Sequence, residues 1–217
     1  MKKIIWLSIT LIAPLPATTI TIPSFDRGWL EDNGGAGSNQ NYLAGALIEG
    51  RQEWRNWFVF DLANVSDFQS ATLRLELPIV DIGSSYRTDT NFEIYQVFQV
   101  ETSPSSLLQR TGGLEVFDDL GTGINYGTVS VSQSDVGSFI EIPLNASAIR
   151  DAAEAQGLFA IGGAITSISP EEDVEDFVFG RTEDFHITQL VVVIPETTTT
   201  LSLVLASLGL FFRRIRK

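Results

Sequence analysis

Along most of the chain the hydrophobic positions recur with a period of two, the signature of strands rather than helices. In "SATLRLELP" Leu73, Leu75 and Leu77 fall on one face, Thr72, Arg74 and Glu76 on the other, and Pro78 ends the run. That alternation predicts an antiparallel strand with one wet face. In "RNWFVFDL" large apolar groups occupy both phases, with Trp57 and Val59 on one side and Phe58, Phe60 and Leu62 on the other, which predicts a central strand buried on both faces. Further strands are expected in "TTITIPS", "NYLAGAL", "NFEIYQVFQV", "GTVSVS", "SFIEIPLN", "LFAIGGAIT", "DFVFG" and "ITQLVVVI". Gly-, Asn- and Ser-rich stretches such as "EDNGGAGSNQN", "DIGSSYRTDTN" and "DDLGTGINYG" separate them and read as loops.

One helix is expected, in "NASAIRDAAEAQG", with Asn145 as its N-cap and Gly157 closing it. About ten short strands and one helix argue for an all-β, two-sheet antiparallel β-sandwich rather than βαβ units.

The two ends break the pattern. "MKKIIWLSITLIAPLPATTI" has two lysines, an apolar run from Ile4 to about Ala13, and prolines that stop it well short of the roughly 20 residues a spanning helix needs. Residues 1–22 therefore read as a signal peptide, cleaved near Ala17, with residues 23–194 as the sandwich domain. At the other end, the 12-residue uncharged run Leu201 to Phe212 is followed by Arg213, Arg214, Arg216 and Lys217. Such a segment predicts a transmembrane helix with a cytoplasmic basic tail.

That ending, "IPETTTTLSLVLASLGLFFRRIRK", resembles the PEP-CTERM sorting signal of bacterial envelope and exopolysaccharide-associated proteins: a Pro-Glu-Pro box, an apolar helix and an Arg-rich end. The resemblance covers residues 195–217 and departs from the family at Thr197, where proline is usual. It implies that Pro195, Glu196 and Thr197 form the recognition box, that Arg213, Arg214 and Arg216 form the basic end, and that an exosortase-type peptidase processes the chain. The competing expectation is a permanent tail anchor. Either way the protein is expected outside the cytoplasm, in the cell envelope or extracellular matrix, held in the inner membrane transiently or permanently. The stretch from "NYLAG" through "ATLRL", with Phe60-Asp61-Leu62 followed by Ala71-Thr72-Leu73-Arg74-Leu75, also resembles a jelly-roll family of exported bacterial domains, some of them like carbohydrate-binding modules.

Charge narrows the partners. Six of the fourteen basic residues sit at the termini, which leaves eight arginines against twenty-six acids between Ser24 and Ile194, a net of about −18. Such a body repels phosphate backbones, so no nucleic-acid partner is expected. The chain has no cysteine and one histidine, His186, which removes thiol chemistry and leaves zinc sites and histidine-based catalysis poorly supplied.

No nucleotide or serine-hydrolase motif is present. The acidic run Glu171, Glu172, Asp173, Glu175 and Asp176, or Asp118 and Asp119, is a candidate calcium cluster against the alternative of solvated charge. No other cofactor is expected. Trp54, Trp29 and Tyr42 are candidate platforms for stacking a sugar ring. The expected function is non-enzymatic association with exopolysaccharide, with a ligand-free structural matrix or adhesion protein and a carbohydrate-active enzyme as alternatives.

Overall fold

The computed structural model describes residues 17–47, 52–65, 67–79, 85–169, 175–180 and 186–195. The compact body runs from Thr19 to Ile194. The expected leader and the C-terminal apolar run lie outside the described residues, except that Ala17–Pro23 forms the first strand, β1, ahead of the boundary expected at residue 23. No helix among the described residues is long and apolar enough to cross a membrane.

The fold is mostly β and sandwich-like, built on antiparallel sheets. The smaller sheet places β1 beside β12 (Thr188–Pro195), then β5 (Ser70–Leu77), then β9 (Ser138–Pro143). The larger has eight strands: β2 (Asp26–Glu31), β3 (Ala44–Leu47), β4 (Gln52–Asp61), β6 (Tyr86–Arg87), β7 (Glu93–Gln99), β8 (Asn125–Val131), β10 (Leu158–Ile165) and β11 (Asp176–Val178). Every strand expected from the period-two pattern is present. Two are additional: β2 and β6 are polar or very short and carry little alternation.

β4 is the hub of the larger sheet. β2 pairs with Trp54 to Val59 along one side. The other side is divided, with β3 on residues 52–54 and β10 on residues 56–61. From that division one arm continues through β11 to β6 and the other through β7 to β8. Asn56, wholly buried, sits where the arms part. Its amide donates to the Tyr42 carbonyl at 2.7 Å and its oxygen accepts from the Tyr95 hydroxyl at 2.7 Å. An apolar side chain there would remove both hydrogen bonds from the core.

The two phases of β4 are buried against different layers. Phe58 and Phe60 join Leu73, Leu75, Ile142, Leu190 and Val192 in the core between the sheets. Trp57 and Val59 join Leu30, Leu107, Phe117 and Leu120 on the opposite face.

That second face is covered by α1 (Pro104–Leu108) and α2 (Leu114–Thr122). The expectation of a single helix is thus corrected, because the described residues form three. The glycines of "DDLGTG" read as a loop, yet Phe117 and Leu120 are three apart on one helical face and both are buried. Ser103 caps α1 by accepting from the Ser106 amide, with Pro104 in the first turn. The expected helix is α3 (Ala146–Ala155), whose Asn145 cap accepts from the amides of Ser147 and Ala148. It closes at Gln156 in the left-handed region, one residue before the expected Gly157.

Candidate functional site

β2 carries the candidate site. Its phases are set by pairing with β4: Leu30 lies opposite Arg55 on the helix-covered face, and Trp29 lies opposite Asn56 on the other. At this margin Trp29 is only half-buried. The Gly-rich segment that follows folds back along β2, with the Gly37 amide donating to the Trp29 carbonyl at 3.0 Å and the Glu31 amide donating to the Gly35 carbonyl at 2.8 Å. Gly37 lies so close under the indole that a Cβ there would stand 2.2 Å from Cε2, so any larger residue would displace the ring. Asn39 Oδ1 accepts from the indole Nε1 at 3.1 Å and fixes the ring's orientation.

Polar groups flank the ring. Glu31, two residues along the same face, accepts from the Asn33 amide at 2.9 Å and from Gln52. Arg110 ties the loop down from behind. Its guanidinium donates to both oxygens of Asp26, at 2.8 and 3.0 Å, and to the carbonyls of Gly37, Asn39 and Arg27, while resting 5.2 Å above the Trp57 ring. An indole, a carboxylate and several amides are thereby held on one preorganised surface. These are the groups that pack on the C–H face of a sugar and bond to its hydroxyls.

The other two expected platforms are corrected. Tyr42 is fully buried between Phe58 and Phe179, with ring centroids 5.6 and 5.4 Å away, and its hydroxyl donates to the Glu76 carbonyl at 2.6 Å. Trp54 is buried as well. A ring with no free face cannot stack on a sugar; both positions fall in the inward phase of the chain.

The calcium candidates separate. Glu171, Glu172 and Asp173 lie outside the described residues, and Glu175 is ion-paired with Arg87. Asp176, on β11, is buried beside Glu93 of β7, and together with Asp89 they bring carboxylate oxygens within 4.8 Å of one another. Each of the two buried carboxyls is already provided with partners. Glu93 accepts from Thr88 and Ser167, while Asp176 accepts from the amides of Asp89 at 3.2 Å and Ser169 at 2.7 Å.

Burial, followed by the hydroxyls' opposing effect and the charge of Asp176, leaves the Glu93 carboxyl above the usual carboxylate range. A cation would have to compete with the hydroxyls and amides that already hold these carboxyls. Gly45 on β3 makes the close approach to β11 feasible: at φ +133° it lies where a Cβ would meet the Asp176 carbonyl at 2.1 Å. Asp119 is occupied differently, accepting from the amides of Glu101 and Thr102.

His186 lies 3.5 Å from Glu76 through Nδ1, half-buried two residues before β12. Of the sorting-signal residues only Pro195, the end of β12, is described; Glu196, Thr197, Arg213, Arg214 and Arg216 lie outside the described residues.

Sequence reasoning missed Glu93, Asn39, Glu31 and Arg110. Glu93 had a signal: it occupies the inward phase of "EIYQV", shared with Tyr95 and Val97, where an acid has to find buried partners. No family model and no curated protein matches the chain.

Proposed function

We propose that the body is a non-enzymatic, polysaccharide-associated jelly-roll domain, resembling carbohydrate-binding modules, of an exported envelope or extracellular-matrix protein. The observation that carries the polysaccharide association is the setting of Trp29: a partly exposed indole, fixed by Asn39 and backed by Gly37, with Glu31 two residues along the same face and bonded to Asn33 and Gln52. Ring and hydrogen-bonding groups are held before any ligand arrives, so little ordering entropy opposes binding. The acidic body favours neutral or basic glycans over sulfated or phosphorylated ones.

The destination is supported by the two ends of the sequence. Residues 1–22 have the make-up of a leader, and residues 195–217 the order of apolar run and basic end that a sorting peptidase of the exosortase type would handle.

The test is a glycan array probed with the protein, in calcium and in chelator. Binding to neutral polysaccharides is expected, weakened about tenfold or more by Trp29→Ala, a loss of about 1.4 kcal/mol. Absence of binding in both conditions would leave a ligand-free structural protein, and turnover of any bound polysaccharide would make it an enzyme.

A further inference from the structure

A cleft of about 190 Å³ opens between the end of β7, β8, α3 and the start of β10. Tyr126, Asp151 and Gln99 contribute a hydrogen-bonded trio to its lining. The Tyr126 hydroxyl donates to Asp151 Oδ2 at 2.7 Å, and the Gln99 amide donates to the same oxygen at 3.3 Å. Arg150, on the solvent side and more than half exposed, pairs with Asp151 Oδ1 at 3.0 Å. Val100, Pro104, Leu158 and Phe159 supply apolar lining.

We infer that this cleft binds one neutral pyranose unit, a second sugar site apart from Trp29; the inference rests on the polysaccharide reading. Size comes first: a cleft of about 190 Å³ is on the scale of a single ring rather than a stretch of chain. Chemistry comes second. A pyranose has a hydroxyl rim and an apolar C–H face, and the lining offers a carboxylate and an amide together with a set of hydrocarbon groups. The Gln99 amide can both donate and accept, so hydroxyls can be met in either sense, while the buried Tyr126 holds Asp151 in place from within. Charge comes third. Arg150 already offsets the Asp151 carboxylate, which removes the advantage a lysine-like or alkylammonium ligand would otherwise have. Such a cleft suits the end of a glycan or a single branch, whereas the open surface at Trp29 suits an internal stretch of chain.

The test is NMR titration of the full protein with methyl hexosides, up to about 100 mM, alongside hexylamine. Shift changes at Gln99, Tyr126 and Asp151 with a hexoside are expected. Ala155→Phe, which fills the cleft from α3, should weaken that binding at least tenfold, and Gln99→Ala should weaken it severalfold with an unchanged melting temperature. Trp29→Ala should leave it intact, so loss of array binding in that variant and loss of hexoside binding in the others report on separate proposals. No shift with any hexoside, a response to hexylamine alone, or hexoside binding insensitive to both cleft variants would overturn the inference.

Discussion

Glu93 shows how one residue can couple the fold to pH. Burial, with the adjacent Asp176, raises its carboxyl above the ordinary value of 4.5, so the folded state holds a proton that the unfolded chain releases. Stability contributed by that proton is full below the unfolded value and is lost as pH rises through the folded one. Glu93→Gln keeps a donor toward Asp176 without a titrating group. As pH rises above the ordinary carboxylate range, the variant's melting temperature is expected to fall less than the parent's. Parallel curves for the two proteins would show that the buried carboxyl does not govern the dependence. Tyr86, pushed up to about 12 by burial first and then by the charge of Glu93, stays a neutral donor to the Val131 carbonyl throughout.

At the scale of elements, Asn56 joins what the period-two pattern could only predict separately. β4, β7 and the segment leading into β3 meet at its side chain, and no alternation of apolar residues announces such a joint. Asn56→Ala should cost about 2 kcal/mol or more by chemical denaturation, because the Tyr42 carbonyl and the Tyr95 hydroxyl lose their partner. Combined with Tyr95→Phe it should cost less than the two single changes summed, since the second removes a group already orphaned. Strict additivity would mean that the pair is not coupled.

The strands themselves were legible, because Leu73, Leu75 and Leu77 could only bury as one face, and the two-sided apolar character of "WFVF" foretold layers on both sides of β4. What covers the second layer was not legible: Phe117 and Leu120 sit among loop-like glycines, and their helical spacing spans a single turn. The site was legible in part. Trp54, flanked by Glu53 and Arg55, was the stronger candidate in the sequence, and it and Tyr42 differ from Trp29 in how the sheets cover them, which composition does not encode.

For the whole molecule, charge and addresses divide the work. The acidic body disfavours polyanions, while under the proposed sorting reading the basic residues at the ends are the part a membrane would read. Changing Arg213, Arg214 and Arg216 to Ser should release the protein or leave it unprocessed. Cell fractionation and intact mass measure both, with loss of the residues after Pro195 marking cleavage. Unchanged location and mass would count against the sorting signal.

The division of β4 between β3 and β10 sets a timetable for the chain. β2 and β3 are near neighbours of β4 in sequence, but β10 arrives about a hundred residues later and β12 later still. On the proposed export route, a polypeptide leaving a membrane channel N-terminus first presents Phe58 and Phe60 long before Ile142, β10 and β12 emerge. Pairings so distant along the chain close slowly, on the order of milliseconds to seconds. During that interval the apolar face of β4 would stand without its distant strands.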